Sequence, residues 1–208
     1  TGALVGSEGT LGIVTKIVVR LSRKAEAVRT LLAVYDSLEA ASNAVSAVIA
    51  DGTIPAAMEI MDNVAIQAVE ATKPCGYPTD AGAVLLIDLE GFEEGLDDLL
   101  EHVRGILLEE GAVELRIARD SQGRMQLWTG RKGAFGAVGA ISPSYYVQDG
   151  VVPRTKLPDV LRRVTQIGQK YGFRIANVFH AGDGNLHPLI LFDERDPQQL
   201  EAVHAAAS

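Results

Sequence analysis

At 208 residues, with 47% hydrophobic and 22% charged side chains, the chain has the composition of an ordinary globular protein. Its 27 acidic and 19 basic residues give a formal charge of −8 without any basic run, which argues against nucleic acid as a partner. Cys75 is the only cysteine, so no intrachain disulfide can form and a cytoplasmic setting is expected, and no apolar run approaches the ~20 residues of a membrane-spanning helix.

The first half of the chain is predicted to alternate strands and helices. Apolar residues alternate over 11–21, which predicts a strand after a glycine-rich loop. A buried strand at 30–36 and an amphipathic helix at 37–52 follow as a β–α unit. A second, shorter helix is predicted from Met58 to Thr72, and the next ten residues are rich in Pro and Gly, which predicts a loop.

The second half continues the alternation and ends in a strand hairpin. In chain order the predicted elements are a strand at 83–91, a helix within 93–111, a strand at 113–119, a helix at 121–135, a strand at 144–152, a helix at 157–172 and strands at 174–180 and 187–193. Because a hairpin joins the last two strands, the sheet cannot be purely parallel. The predicted fold class is α+β, a ferredoxin-like antiparallel sheet with helices on one face.

The hairpin contains the motif with the clearest chemistry, HAGDGNLH. Gly182 and Gly184 make a helix costly there, and Asp-Gly favours a tight turn, so His180 and His187 are expected to face each other. Two neutral imidazoles are half of a site for a divalent metal such as zinc, manganese or iron. The alternative is structural, with His180 capping a strand and His187 a partly buried polar residue.

Two polar residues inside this turn are further candidates. Asp183 is a hard oxygen ligand within reach of a metal between the rings. Asn185 is either the left-handed residue of the turn or the donor of an amide to a bound group.

A second candidate is the loop GSEGTLG near the start of the chain. A glycine-rich loop beside a strand can present backbone N–H groups to a phosphate or a ring system. It lacks the Lys of a P-loop and the spacing of a dinucleotide fingerprint, so a purely structural turn is the alternative.

Four stretches carry a family resemblance: LVGSEGTLGIVTKIVVRL, MEIMDN, WTGRKGAFGAVGAISPSYYVQDGVVPR and ANVFHAGDGNLHPLILFD. They are similar to the family of FAD-linked 2-hydroxy acid oxidases and dehydrogenases, which includes the FAD-binding subunit of bacterial glycolate oxidase. The resemblance implies that residues 1–25 are the last loop and strand of an FAD-binding domain. Residues 26–208 would then be a substrate-capping C-terminal domain that is incomplete at its end.

The resemblance also implies roles for individual residues. His180 and His187 match the family's metal-binding histidines, and Arg131 matches an arginine that holds the substrate carboxylate, with Asn185 also assigned to the catalytic set. The arginine fork suits a carboxylate better than the point charge of Lys132, although Arg131 alone would fit a solvated helix charge. The residues implied to line the flavin are Gly6, Ser7, Gly9, Thr10, Gly12 and Val14.

The implied parent protein oxidises a small 2-hydroxy acid, glycolate to glyoxylate or D-lactate, by hydride transfer to FAD with a divalent metal on the substrate hydroxyl. The family's third metal ligand and its base lie in a Gly-Glu-His-Gly motif that this chain lacks, so the chain alone is expected to be inactive. An iron–sulfur partner subunit and peripheral association with the inner membrane are implied as well. The alternatives are a metal-dependent hydrolase using His180 and His187, and a non-catalytic ferredoxin-like interaction module.

Overall fold

The computed structural model describes residues 2–21 and 23–207. Thr1, Ser22 and Ser208 lie outside the described residues, and with them the outer limits of the two predicted domains. The described strands are β1 (Ala27–Tyr35), β2 (Ala57–Asp62), β3 (Ala83–Gly91), β4 (Glu114–Ile117), β5 (Ser144–Val147), β6 (Gly150–Val151), β7 (Arg174–His180), β8 (Asn185–Leu186) and β9 (Pro188–Phe192). The described α-helices are α1 (Leu38–Ala50), α2 (Asn63–Thr72), α3 (Leu96–Glu109), α4 (Ser121–Ala140), α5 (Leu157–Tyr171) and α6 (Pro197–Ala207). None of these helices is long and apolar enough to cross a membrane.

The strands form one antiparallel sheet that branches at β7. Its first part runs in the order β4-β1-β3-β2-β7. The beginning of β7 pairs with β9, which pairs with β5, whereas the last residue of β7 pairs with β8, which pairs with β6. This branch places His180 between Glu59 of β2 and Asn185 of β8.

Helices cover both faces of the sheet. Leu31 and Ala33 of β1 point into a core under α1, α3 and α5, whereas Leu32 and Val34 point into a second core under α2 and α4. The predicted antiparallel α+β class is confirmed, but the expected one-sided helical layer is extended by α2 and α4 on the opposite face. The physical reason is that the central strands are apolar at successive positions, so each face must be removed from water.

Other elements also differ from the sequence-based expectation. The helix predicted from Met58 begins at Asn63, because residues 58–62 belong to β2, which lies between β3 and β7 and has apolar side chains in both cores. Strand pairing overrides the local helical pattern at this point. Helix α6 was not predicted, and it packs through the fully buried Val203.

Residues 11–21 are not assigned to a strand, although their apolar residues alternate. Ile13 and Val18 are each 90% exposed. A strand needs a neighbouring strand to pair its backbone groups, and within the described part of the chain these residues have none. The predicted strand is therefore absent from this structure.

Candidate active site

A buried carboxylate, Glu59, joins His180 to Arg131. Its Oε1 lies 2.7 Å from Nδ1 of His180, while its Oε2 accepts from Nε of Arg131 at 3.0 Å and lies 2.8 Å from Nη2. The side chains of Glu59 and Arg131 are only 7% and 8% exposed, whereas that of His180 is 48% exposed. The buried pair therefore holds an imidazole that is open to solvent.

The sheet register and one close helix contact produce this cluster. Glu59 of β2 and His180 of β7 are direct antiparallel partners, which puts their side chains side by side on one face. Arg131 comes from α4, which packs on the same face. Gly130 lies against the ring of Tyr77, and a Cβ at this glycine would collide with the ring, so the close approach of α4 depends on it.

The histidine hairpin brings its two rings together. The ring centroids of His180 and His187 lie 5.7 Å apart at an interplanar angle of 85°. Between them the chain makes one turn of 3-10 helix and then Gly184, whose φ of +71° is left-handed. A Cβ at Gly184 would also collide with the carbonyl of Val152, so only glycine fits. The predicted juxtaposition is what the structure shows.

His187 is held in surroundings that favour its neutral form. Its Nδ1 lies 3.3 Å from Oδ1 of Asp149, and the ring of Phe135 approaches edge-on with centroids 6.0 Å apart. Burial lowers the pKa of His187 below its usual value, Asp149 acts against this, and His180 and Arg131 lower it further. Like His180, His187 has a carboxylate at Nδ1, which leaves Nε2 as its other polar atom.

The two rings supply two nitrogen ligands but not a complete metal site. Over residues 2–21 and 23–207, no three His, Cys, Asp or Glu side chains are placed to hold a metal ion together. Asp183, a possible ligand from sequence, is exposed. Within the described part of the chain, Oδ1 of Asn185, beside His180, is buried and has no hydrogen-bond partner.

The residues predicted to line a flavin lie in a mostly exposed turn at the start of the chain and in the irregular segment after it: Gly6, Ser7, Gly9, Thr10, Gly12 and Val14. The hydrogen bonds of this turn are local, with N and Oγ1 of Thr10 both donating to the carbonyl of Ser7 at 2.9 and 2.5 Å. Apart from its two chain neighbours, no described residue comes within 4 Å of a Cβ built on Gly6, Gly9 or Gly12, so the backbone here is open.

Glu59 is the site residue that the sequence analysis missed. The available signal was a single charge inside the apolar run Met58–Met61. The helix predicted from Met58 gives no reason to expect a buried partner for Glu59. As a strand buried on both faces, the run needs a partner for its carboxylate.

The fold and the cluster define a class of protein: an antiparallel α+β domain in which one buried carboxylate joins an arginine to a histidine hairpin. Residues 24–208 match the family "FAD linked oxidases, C-terminal domain", and the chain belongs to this family.

Proteins with related sequences carry two kinds of name. The chain is 50% identical over 195 residues to the glycolate oxidase subunit GlcD of Escherichia coli K12, covering 94% of this chain and 39% of that protein. It is 37% identical to GlcD of Bacillus subtilis 168, covering 99% and 44%, and 31% identical to the D-lactate dehydrogenase of Anaerostipes hadrus, covering 88% and 40%. The chain thus spans about two fifths of the length of these relatives.

Solved structures with the same fold are more distant in sequence. An alkyldihydroxyacetonephosphate synthase superimposes with a TM-score of 0.67 at 17% identity, covering 99% of this chain and 44% of that one. A p-cresol methylhydroxylase gives a TM-score of 0.63 at 13% identity, covering 88% and 42%. At these identities the likeness concerns the fold alone.

Proposed function

We propose that the protein carrying this chain is an FAD-dependent enzyme that oxidises a small 2-hydroxy acid, with glycolate the first candidate and D-lactate the second. The family and the similarity to GlcD and to a D-lactate dehydrogenase support this class. The observation that carries the proposal is the linkage of Arg131 and His180 through Glu59. A 2-hydroxy acid has its carboxylate and hydroxyl on neighbouring carbons, and this linkage holds a cation and an imidazole next to each other.

Arg131 is the proposed partner of the substrate carboxylate. Its Nε and Nη2 are directed at Glu59, so the side-on fork expected from sequence is already used inside the protein. The substrate would meet the opposite end of the guanidinium, at Nη1. Because Arg131 is buried and already bound to Glu59, it would lose little conformational entropy when the substrate carboxylate binds.

His180 and His187 are the proposed partners of the hydroxyl side. A divalent cation held by their Nε2 atoms, zinc, manganese or iron, would supply positive charge beside the hydroxyl oxygen. The remaining ligands would come from outside the described residues, as would the base. Oδ1 of Asn185, which no described residue contacts with a hydrogen bond, could accept one from the bound group.

The start of the chain is the proposed contact with the cofactor. Bound FAD would supply the acceptor for the hydride of the α-carbon. Residues 1–25 would be the end of an FAD-binding domain, in which the open backbone around Gly6 and Gly9 contacts the flavin, and residues 26–208 would cap the substrate. Partner subunits, including an iron–sulfur subunit, and a cytoplasmic location with peripheral membrane association belong to the same proposal.

The experiment uses the complete protein with bound flavin. Glycolate and D-lactate are added without oxygen, and bleaching of the flavin absorbance reports its reduction. In His180→Ala and His187→Ala, bound metal should be lost and turnover should fall by at least about 100-fold, because several kcal/mol of charge stabilisation is removed, while the flavin stays bound.

His102→Ala is the matched control, since this histidine is exposed on α3 and pairs only with Asp51 in the described part of the chain. It should behave like the wild type. Retention of metal and turnover in either hairpin variant would remove the metal role. A wild-type flavin that no 2-hydroxy acid reduces would overturn the proposed class, and turnover of an ester or amide without flavin would favour the hydrolase alternative.

A further inference from the structure

We propose that Glu59 is a positioning residue that fixes the tautomer of His180, holding its proton on Nδ1 and its lone pair on Nε2. The proposal deepens the proposed function, because it explains how the exposed imidazole becomes a ligand. The tautomer itself does not depend on that function being correct, and it can be observed without substrate or metal.

For a neutral His180 ring, the donor and acceptor inventory of the cluster requires this tautomer. Arg131 can only donate, so Oε2 of Glu59 accepts from it, and a carboxylate accepts at both oxygens. Oε1 therefore needs a donor at the 2.7 Å contact, and the only polar atom of His180 at that position is Nδ1. With the proton on Nδ1, a neutral ring has its lone pair on Nε2, which is the form that binds metals or accepts a proton.

The surroundings of Glu59 keep its carboxylate in one orientation, and this keeps His180 in one tautomer. Its carboxylate is a single planar group buried between β2 and α4, and Arg131 holds one of its oxygens. His180 is about half exposed and would otherwise be free to rotate and to exchange its proton with water. The hydrogen bond to Glu59 thus limits the motion of the His180 ring at the surface. It also fixes the position of His180 relative to Arg131.

Asp88 provides a matched control on the same face of the sheet. It is as buried as Glu59 and also binds an arginine of α4, Arg124. Its other side-chain partners are Thr30 and Trp128, and an indole N–H has no second tautomer. Removing the charge of Asp88 therefore perturbs another ion pair between a buried carboxylate and an arginine of α4, without any tautomer to change.

Glu59→Gln keeps the shape of the side chain but changes Nδ1 of His180 from a required donor to a required acceptor. The single amide oxygen of glutamine must face Arg131, which can only donate, so the NH₂ group faces Nδ1 of His180. Nδ1 must then accept, and the ring proton moves to Nε2. Because a protonated Nε2 cannot bind a metal, the affinity for zinc should fall by about 10- to 100-fold.

The measurement is ¹⁵N NMR of the complete, metal-free protein with labelled histidine, at a pH where the rings are neutral. The signal of His180 is the one missing in His180→Ala. We expect a proton on Nδ1 in the wild type and in Asp88→Asn, and a proton on Nε2 in Glu59→Gln, with zinc affinity following the tautomer.

A wild-type His180 protonated on Nε2 would overturn the proposal without any variant, so the test survives if Glu59→Gln does not fold. An unchanged tautomer in a folded Glu59→Gln, or an equal change in Asp88→Asn, would overturn it as well. If the tautomers are as expected but no 2-hydroxy acid reduces the flavin of the wild type, the role of Glu59 stands and the proposed function fails.

Discussion

Two buried carboxylates lie on one face of the sheet, on neighbouring strands, and each binds an arginine of α4. Asp88 of β3 pairs in register with Ala57, two residues before Glu59 on β2. Asp88 accepts from Oγ1 of Thr30 at 2.5 Å, from Nη2 of Arg124 at 2.6 Å and from the indole of Trp128 at 3.1 and 3.2 Å. Glu59 binds Arg131 and His180.

The two clusters differ in the burial of the arginine and in whether another partner of the carboxylate has a further polar atom. Arg124 is 41% exposed, so its charge is partly solvated, and Asp88 serves to fasten α4 to the sheet. Arg131 is buried, and His180 has a second nitrogen on the far side of its contact with Glu59. The same type of interaction therefore fastens a helix to the sheet in one place and, in the other, joins a buried arginine to an imidazole with a second nitrogen. The burial of the carboxylates does not distinguish the two clusters, whereas the second ring nitrogen of His180 does.

The largest expected effect compares Glu59→Ala with Asp88→Ala in stability. Loss of Glu59 leaves the guanidinium of Arg131 buried without a counter-charge, which should cost about 3 to 5 kcal/mol of unfolding free energy. Loss of Asp88 leaves Arg124 able to reach water and only neutral donors unsatisfied, so about 1 to 3 kcal/mol is expected. Urea unfolding of both variants measures the two values. A larger loss for Asp88→Ala would mean that the contrast in burial between their arginines does not govern stability.

The histidine hairpin could be predicted because its signals are local. Gly182, Asp183 and Gly184 disfavour a helix and favour a tight turn, and the two histidines flank that turn within eight residues. The structure adds what local sequence cannot give, namely which nitrogen of His180 faces inward and which residue holds it.

The Glu59 cluster could not be predicted, because its contacts are far apart in sequence. Glu59 is separated by 72 residues from Arg131 and by 121 from His180. Its formation depends on the register of β2 with β7 and on the close approach of α4 at Gly130. The same non-local pairing explains the error at Met58, where strand partners rather than local periodicity decide the element.

A third buried carboxylate, Asp62, sharpens the comparison because its partners are amides rather than cations. Its Oδ1 accepts from N of Ala65 at 3.0 Å, and its Oδ2 accepts from N and Nδ2 of Asn177 at 2.9 and 2.8 Å. Burial raises the pKa of Asp62 to about 6, although these hydrogen bonds act to lower it. The folded state therefore binds this proton more tightly than the unfolded chain, whose Asp pKa is about 3.9.

This raised pKa predicts a pH-dependent difference in stability between the wild type and Asp62→Asn. As the pH falls from about 6 to about 4, the wild type should gain stability relative to the variant, by about 3 kcal/mol in total, and the difference should be flat outside this window. Urea unfolding of both proteins across this range gives the difference directly. A stability difference that does not change with pH would show that the amide donors offset the burial of the charged Asp62 carboxylate, so that its pKa is not raised.

The smallest expected effect compares two arginine-to-lysine changes on α4 in the complete enzyme. Arg131→Lys keeps the positive charge but loses the planar group that binds Glu59 on one side and can offer Nη1 to a substrate on the other. The value of kcat/KM for glycolate should fall by about 10-fold or more, equivalent to about 1.4 kcal/mol in transition-state stabilisation. Arg124→Lys makes the same change at the Asp88 cluster, where the side chain is partly exposed, and kcat/KM should stay within about twofold of the wild type. Steady-state kinetics of both variants measure this contrast. Equal losses would assign the effect to the packing of α4, and unchanged kinetics in Arg131→Lys would remove Arg131 from the substrate site.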